Sequence, residues 1–300
     1  MLDSYRSIKY HFYADDTQIY FHISSHSPTD TFSNLQNCIC NVKNWMSSNM
    51  LKLNPDKTEF IVFGSSVQRQ KLSSFFPIEL MGSLLSPVDK VKNLGVIFDS
   101  NFTFSNHVAY ICQTSYTSIR NFRRIRKFLT HSMAITVANA LVSCRLDYCN
   151  SLFRGLCKKD VHKLQCVQNS IVRIVTKTSK FDHVKPVLKS LHWLPVEYRC
   201  MFKTLSIIYK YINFGSPNYF SFLKLYSCPV NTRRSNPSKY ILEKPTFTSC
   251  HKSKRFFNNS FVYDGPTLWN SLPLTVRTSS SLSVFRRSLK TYLFQLAFPP

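Results

Sequence analysis

Two adjacent carboxylates, Asp15 and Asp16, separate two runs of aromatic and β-branched residues in the stretch FYADDTQIYF, residues 12–21. The alternation within residues 8–14 and 17–23 predicts two strands, which places both carboxylates at the turn of a hairpin. Aspartate is favoured in turns because its side chain bonds nearby backbone groups. Mg²⁺ is the other explanation, since this ion takes one or two carboxylates and completes its shell with phosphates and water. The residues leave both explanations open.

A helix with one buried face is predicted directly after the hairpin. Ser27, Pro28 and Asp30 form a helix start, with a capping serine, a proline at the first position and an early acid. Apolar residues then recur at steps of three and four: Phe32, Leu35, Ile39, Val42 and Met46. This spacing is typical of an amphipathic helix.

Further strands are predicted between this helix and residue 101. The stretch LKLNPDKTEFIVFG predicts a short strand at 51–53, a turn at 54–56 and a second strand at 58–63. The apolar run NLGVIFD, residues 93–99, predicts another strand, with turn residues after it. Short strands mixed with a packed helix predict an α+β fold for this part of the chain.

The remainder of the chain is mostly helical in pattern. Five helices are predicted: one begins at a Ser105 cap, two cover 133–143 and 159–175, and a fourth begins at Pro195. The fifth lies at the end of the chain and buries Leu282, Phe285, Leu289 and Leu293. Residues 214–260 show little periodicity and predict a long loop or linker.

Basic residues crowd the end of the first of these helices: Arg120, Arg123, Arg124, Arg126 and Lys127. Cations at a helix carboxyl terminus oppose the negative end of its dipole, which is a purely structural role. Five cations within eight residues exceed what a cap requires. The cluster is therefore also a candidate for contact with a polyanion.

The positive charge of the protein is concentrated in one part of the sequence. The chain carries 39 Lys and Arg against 15 Asp and Glu, for a formal net charge of +24. Residues 1–100 hold nine of each sign, so the whole excess lies in residues 101–300, which hold thirty basic and six acidic residues. This asymmetry favours nucleic acid as the partner of the later part over a merely solvated basic surface.

Cysteine spacing and hydropathy exclude several classes of protein. None of the ten cysteines forms a CxxC pair, and His162 with Cys166 supplies only half of a zinc shell, so buried free thiols in a reducing compartment are expected. No apolar run reaches the length of about 18 residues that spans a membrane, and the amino terminus lacks the layout of a signal peptide. We expect a protein of the nucleus or cytoplasm, neither secreted nor in a membrane.

The order of these segments resembles a known family. YADD in a strand-turn-strand, a capped helix, NPDKTEFIVFG and LGVIFD look like the later part of a reverse transcriptase palm from a LINE-type, non-LTR retrotransposon of the Jockey-like group. SCRLDYCNSLFRGL, KLQCVQNSIVRIVT, LKSLHWLPVEYR and GPTLWNSLPL resemble segments downstream of that polymerase. The resemblance implies a partial palm at 1–104, a helical, basic, thumb-like region at 105–213, a linker at 214–260 and a carboxyl-terminal segment at 261–300.

The resemblance also implies roles for residues of the palm. Asp15 would be the metal-binding carboxylate, Asp16 its neighbour with a secondary role, and Tyr13 a contact to the primer end. Lys57 would lie near the nucleoside triphosphate and help protonate the leaving group, although a surface lysine in a turn explains it equally well. The implied cofactor is Mg²⁺, and the implied ligands are an RNA template, a DNA primer and deoxynucleoside triphosphates.

Roles for the later residues follow in the same way. LGVIFD would belong to the primer grip, although a core strand is favoured for Leu94, Val96 and Phe98. Arg123, Arg124 and Lys127 are the expected contacts to the nucleic-acid backbone. Trp193 and Trp269 are candidates for stacking on bases, but core packing is favoured for each.

One part of the family pattern is missing. A palm polymerase holds its metals with a further aspartate from an earlier strand, and only fourteen residues precede Asp15. We therefore expect weak Mg²⁺ binding and no polymerase activity from this chain alone. The alternative is a non-catalytic nucleic-acid-binding protein that uses residues 101–300, and a third hypothesis is a translated relic without a stable fold.

Overall fold

The computed structural model describes residues 5, 7–23, 28–80, 83–226, 240–246 and 260–299. It divides into two units, Met1–Phe102 and Thr103–Pro300, which are described separately below as unit 1 and unit 2. The α+β class is confirmed, because unit 1 mixes short antiparallel strands with helices and unit 2 is helical.

In its described residues, unit 1 contains three two-stranded antiparallel sheets and two α-helices. The elements in chain order are β1 Ile8–Tyr13, β2 Asp16–Phe21, α1 Pro28–Ser48, α2 Ser66–Lys71, β3 Ile78–Leu80, β4 Ser83–Leu85, β5 Lys90–Asn93 and β6 Val96–Asp99. Each sheet is one hairpin, pairing β1 with β2, β3 with β4 and β5 with β6.

The predicted first hairpin and first helix are confirmed. Helix α1 begins at Pro28, as the proline signal indicates, whereas the expected cap Ser27 lies outside the described residues. Its apolar stripe buries Phe32 and Leu35, which form a small core with Ile78 of β3. This core packs α1 against β3. The Phe32 ring also stacks on Phe75, with 5.5 Å between the ring centroids.

The prediction of strands at 51–53 and 58–63 is wrong, because neither segment forms a strand. Residues 58–63 carry a single backbone bond to another extended segment, from the Val88 N–H to the Phe60 carbonyl, and so form no ladder. Val62 is nevertheless buried. The apolar pattern therefore reported burial correctly, while strand pairing depends on a partner that the local sequence does not specify. The sequence missed the β3–β4 hairpin, which lies further along the chain.

Unit 2 contains nine α-helices among its described residues. They are α3 Ser105–Ile125, α4 His131–Ala138, α5 Cys144–Asp147, α6 Lys158–Thr176, α7 Val184–Ser190, α8 Val196–Phe214, α9 Phe261–Asn270, α10 Leu274–Arg277 and α11 Leu282–Ala297. A π-helical turn, Asn139–Ser143, joins α4 to α5, so the helix predicted at 133–143 is real but longer. The helices predicted at 159–175, after Pro195 and at the end are confirmed, whereas α7, α9 and α10 were not predicted.

The cap predicted for α3 is wrong by one residue. Phe104, with φ of 57°, occupies the cap position, and Ser105 is the first helical residue. The Ser105 hydroxyl instead donates to the Asp160 carboxylate of α6 at 2.7 Å. The Ser105 hydroxyl therefore bonds a residue that is distant in sequence and does not cap its own helix in the way that the local capping rule predicts.

Two apolar cores hold unit 2 together. The first joins α3, α4 and α6 through residues such as Phe122, Leu164 and Ile171. The second joins α8, α9 and α11 around Trp269 and Phe285. For the last helix, the periodicity of the sequence correctly placed Phe285, Leu289 and Leu293 inside.

Most of the predicted linker at 214–260 lies outside the described residues, which omit 227–239 and 247–259. The parts that are described contain the 3₁₀ turn Asn218–Phe220 and an isolated bridge between Leu225 and Leu242. Across the described part of the chain, we find no helix with the length and apolar character needed to cross a membrane.

Candidate functional site

The acidic hairpin has a two-residue turn. Tyr13 pairs with Asp16, so Ala14 and Asp15 form the turn and Asp16 is the first residue of β2. Both aspartates are exposed, as is Tyr13, whose side chain is 60% accessible. Asp15 and Asp16 thus project from the end of the sheet as the sequence predicted.

Ala14 holds the turn in an uncommon backbone conformation. Its φ of 52° lies in the left-handed region, which residues other than glycine seldom adopt. A non-glycine residue there costs on the order of 1–3 kcal/mol and persists only where the surroundings impose it. The pairing of Tyr13 with Asp16 imposes it here, and the strained turn presents Asp15 at the apex.

The donor set at the hairpin does not fit a two-metal site. Mg²⁺ needs near-octahedral oxygen ligation, and two ions need carboxylates that bridge them. Within the described residues, no group of three or more His, Cys, Asp or Glu side chains is placed to hold a metal. No ion pair in this part of the chain engages Asp15 or Asp16 either. In the part of the chain that the structure describes, the site therefore consists of the two carboxylates alone.

The segment that resembles a primer grip is bonded to the acidic hairpin. Gln18 of β2 donates from Nε2 to Oδ1 of Asn93, at the end of β5, over 2.9 Å. Asp16 and Gln18 are two residues apart and so share one face of β2, separated by about 7 Å of strand. The β5–β6 turn therefore lies beside the face that carries Asp16 and Tyr13.

The β5–β6 turn corrects one expectation for the primer-grip segment. Leu94 is not a core-strand residue, because Leu94 and Gly95 form the turn with φ of 44° and 82°. Positive φ at both central residues is the geometry that matches the twist of a two-residue hairpin. Val96 is buried and Phe98 half-buried in β6, as a core strand predicts.

Lys57 lies in the 3₁₀ turn Pro55–Lys57 and is exposed. Asn54 shapes this turn, since its Oδ1 accepts the backbone N–H of Asp56 at 3.0 Å. No hydrogen bond or ion pair in the described part of the chain joins Lys57 to either aspartate. Its role near a triphosphate stays a prediction.

The basic cluster at the end of α3 is divided between surface and core. Arg123, Arg124 and Lys127 are exposed, together with an aromatic neighbour that the sequence analysis missed. Phe128 is 76% accessible, and the Lys127 ammonium lies 4.9 Å from its ring centroid. Exposed cations beside an exposed ring form a surface suited to nucleic acid, where cations meet phosphates and rings stack on bases.

Arg126 has a different role from its neighbours. Its side chain is buried and donates from Nε and Nη2 to the Val175 carbonyl, at 3.2 and 2.7 Å, near the end of α6. It also donates to the Leu129 carbonyl at 2.8 Å. A guanidinium satisfies several carbonyls that a helix end leaves without partners, so Arg126 stabilises the fold.

Most of the acidic side chains in unit 2 form ion pairs with basic residues of the same unit. Asp147 binds Arg199, Asp160 binds Lys163, and Arg154 serves both Asp264, at 2.9 Å, and Glu197, at 3.9 Å. These four acids are the majority of the six in residues 101–300. They use only three cations, so most of the thirty basic residues there keep their charge available.

Asp160 shows how strongly one of these acids is held. Burial acts to raise the pKa of its carboxyl, but hydrogen bonds from Lys163, Ser105 and Cys157 outweigh burial and lower the pKa below its ordinary value. The distances are 2.7, 2.7 and 3.3 Å. Asp160 therefore fixes the start of α6 against the start of α3 in its ionised form.

Trp193 and Trp269, the two tryptophans considered as candidates for base stacking, both pack in the core. Trp269 is fully buried, and its indole N–H donates to the Tyr240 carbonyl at 2.8 Å. Trp193 is only 8% accessible. Core packing, the reading favoured from the sequence, is confirmed for both.

The cysteines show no reactive arrangement among the described residues. Burial raises the pKa of the Cys200 thiol to about 12, so it stays protonated and unreactive at neutral pH. His162 Nε2 and Cys166 Sγ lie 3.5 Å apart on α6, on one helix face as the sequence predicted. These two side chains supply half of a zinc shell.

Comparison with known proteins finds similarity to polymerases. Residues 1–98 match the family model described as reverse transcriptase (RNA-dependent DNA polymerase), a span that ends within unit 1. The chain is also 25% identical over 168 residues to a probable RNA-directed DNA polymerase from transposon BS of Drosophila melanogaster. No solved structure matches.

The second match is longer than unit 1 and therefore reaches into unit 2. It covers 55% of this chain and 18% of the relative, so this chain spans under a fifth of that protein. Residues 1–98 thus match the reverse transcriptases, which are RNA-dependent DNA polymerases.

Proposed function

We propose that this chain is the later part of a reverse transcriptase palm, followed by a thumb-like basic region, from a LINE-type, non-LTR retrotransposon of the Jockey-like group. The family's chemistry is the templated addition of deoxynucleotides to a DNA 3′ end. The observation that carries the proposal is the bond between Gln18 and Asn93, which sets the LGVIFD hairpin beside the face of β2 that presents Asp16. This arrangement supports the assignment of the LGVIFD hairpin as a primer-holding segment beside the acidic turn.

Within this proposal the exposed residues of the hairpin have separate roles. Asp15 at the apex is the metal-binding carboxylate of the intact polymerase and Asp16 its neighbour. Tyr13 lies directly opposite Asp16 and contacts the primer end, and Lys57 acts near the triphosphate. An intact polymerase uses Mg²⁺ to activate the primer hydroxyl and stabilise the leaving pyrophosphate.

We further propose that the 300-residue chain does not extend primers by itself. Its support is the donor set, because the described residues place no third ligand with the two aspartates. The test is primer extension on an RNA template with Mg²⁺ or Mn²⁺, comparing the natural chain with Asp15→Ala. Equal background in both agrees with the proposal, whereas extension that Asp15→Ala abolishes contradicts it and shows that the pair suffices.

The placement of the primer is tested independently of activity by photocrosslinking. A primer with a photoreactive 3′-terminal base is annealed to an RNA template and irradiated with the full chain. We expect a crosslink in the β1–β2 hairpin that Tyr13→Ala removes. Phe12→Ala is the matched control, since Phe12 is similarly exposed but lies on the opposite face of β1. Crosslinks confined to unit 2 would contradict the palm assignment.

The thumb-like region is proposed to hold the nucleic-acid backbone through Arg123, Arg124 and Lys127, with Phe128 beside them. Changing the three cations to glutamine in the full chain is expected to weaken duplex binding and to reduce the slope of log K against log salt by about three. The charge-matched control changes Lys180, Lys185 and Lys189, which are equally exposed in unit 2. Equal losses in the two variants would show diffuse attraction without a defined contact surface.

A second candidate function is nucleic-acid binding without catalysis, centred on residues 101–300. The observation that favours it is the pairing of four acids with only three cations inside unit 2, which leaves the surface positive. This function predicts salt-sensitive binding that Asp15→Ala leaves unchanged, without a crosslink at Tyr13. The primer crosslink therefore separates the two candidates.

A further inference from the structure

A cavity of about 410 Å³ opens between α8 and α11 in unit 2. Its lining includes the polar side chains of Asp147 and Asn150 and the apolar rings of Trp193 and Phe202. Its volume lies within the range of sites that bind small ligands. All of its lining belongs to unit 2, and none of it belongs to the basic cluster at the end of α3.

Two pairs of cations, one pair on each of two helices, line this cavity. Arg199 and Lys203 lie four residues apart on α8, and Arg286 and Lys290 lie four residues apart on α11. Residues at this spacing share one helix face, where like charges repel. An anion between the helices removes this repulsion. Among the described residues that line the cavity, Asp147 is the single acid.

Asp147 compensates only one of the four cations. Its carboxylate accepts two hydrogen bonds from Arg199, of which the Nε bond to Oδ1 measures 2.7 Å. Lys203, Arg286 and Lys290 form no ion pair among the described residues. Three positive charges therefore remain around the cavity, which suits a phosphate group.

Asn150 adds an acceptor without a donor. The side chain is 2% accessible, and its Nδ2 donates to Oδ1 of Asp147 at 3.3 Å, which fixes the orientation of the amide. Its Oδ1 is buried and has no hydrogen-bond partner. A buried acceptor of this kind calls for a ligand that brings an N–H or O–H group, as the amino group of a base or a ribose hydroxyl does.

We propose that this cavity binds one nucleotide. Lys203, Arg286 and Lys290 hold its phosphate, and Asn150 accepts a hydrogen bond from its base or sugar. The nucleotide is either free or part of a strand, since the phosphate chemistry is the same. This inference goes beyond the proposed function, because neither the palm assignment nor the contacts of Arg123, Arg124 and Lys127 depends on it.

The test titrates the full chain with adenosine 5′-monophosphate and, separately, with inorganic phosphate, by calorimetry or NMR. We expect the double variant Arg286→Gln/Lys290→Gln to weaken monophosphate binding at least tenfold. Arg287→Gln is the matched control, because Arg287 lies on the same helix, is exposed and does not line the cavity, and we expect less than a twofold change. Failure of the natural chain to bind the monophosphate, or equal weakening by Arg287→Gln, overturns the proposal.

Asn150→Leu separates recognition of the nucleoside from attraction of the phosphate. We expect this variant to bind inorganic phosphate as the natural chain does but to lose the extra affinity for the monophosphate. An unchanged preference for the monophosphate overturns the role of Asn150, and circular dichroism of each variant confirms that the fold is kept.

A short oligonucleotide distinguishes the two sources of the nucleotide. Displacement of the monophosphate by oligodeoxyadenylate, weakened by the Arg286/Lys290 double variant, identifies a nucleotide within a strand. Binding of the monophosphate without displacement identifies a free nucleotide. Loss of duplex binding in the Arg123/Arg124/Lys127 variant with monophosphate binding unchanged shows that the two surfaces act independently.

Discussion

Unit 1 and unit 2 differ in how much core supports their functional surfaces. Among the residues that the structure describes, the two apolar clusters of unit 1 contain three and two buried residues, whereas those of unit 2 contain 19 and 12. The sheets of unit 1 are single hairpins, which are marginal without further packing. The acidic turn therefore lies on the less supported unit, while the basic surface and the cavity lie on the well-packed unit.

Family resemblance and stability are distributed differently along this chain. The family model matches residues 1–98, in the weakly packed unit. Unit 2 has the larger cores and the ion pairs, and the family model does not reach it, whereas the match to the transposon BS polymerase, 25% identical over 168 residues, does. We therefore expect unit 2 to persist under conditions in which unit 1 has already lost its tertiary structure.

The largest expected effect comes from deleting the central ring of the second core of unit 2. Trp269→Ala leaves a cavity and removes the donor to Tyr240, which destabilises unit 2 by about 3–5 kcal/mol. Phe32→Ala is the matched change in unit 1. Denaturant unfolding followed by far-UV circular dichroism is expected to show a later transition shifted by Trp269→Ala and an earlier one shifted by Phe32→Ala. A single transition moved by both variants would contradict the division.

The next effect is pH-dependent and belongs to unit 2. Because the pKa of Asp160 is lowered in the folded state, its contribution is present above the ordinary value of 3.8 and is lost as pH falls through the lower folded value. Asp160→Asn is expected to cost about 1.5–3 kcal/mol at pH 7 and to flatten the loss of stability in acid. Urea unfolding at pH 7 and pH 3 measures it. Glu243→Gln, at an exposed acid, is the control and should change neither value.

A smaller effect concerns the bond that joins the β1–β2 hairpin to the β5–β6 hairpin in unit 1. Gln18→Leu leaves Asn93 without its donor and is expected to lower the stability of unit 1 by about 0.5–1.5 kcal/mol. Hydrogen exchange should accelerate in the β5–β6 turn. Gln70→Leu, at an exposed glutamine of α2, serves as the comparison. Unchanged exchange in Gln18→Leu would remove the observation on which the primer-grip placement rests.

The smallest expected effect is an increase in the stability of unit 1. Ala14→Gly relieves the positive φ of the turn and is expected to stabilise unit 1 by about 0.5–1 kcal/mol. Thr17→Gly, at an ordinary strand position of the same hairpin, should have the opposite sign. A loss of stability in both would show that Ala14 is not strained.

Periodicity was sufficient to predict which faces are buried. The stripes of α1, α3, α6 and α11 follow from steps of three and four, because a helix repeats every 3.6 residues whatever it packs against. The acidic hairpin follows in the same way from alternation, which placed Asp15 and Asp16 at its end. Pairing could not be predicted in this manner: the segment 58–63 buries Val62 but does not become a strand.

The sequence by itself determined the exposed acidic turn, the helical stripes and the excess of positive charge, since each depends on residue type and short-range spacing. Only the tertiary structure decided the rest: Arg126 lies in the core while its neighbours stay outside, Ser105 bonds Asp160, Gln18 reaches Asn93 over 75 residues, and four cations from α8 and α11 face one cavity. These outcomes depend on which elements pack together. That choice rests on the sum of many weak contacts between distant segments, which no local pattern contains.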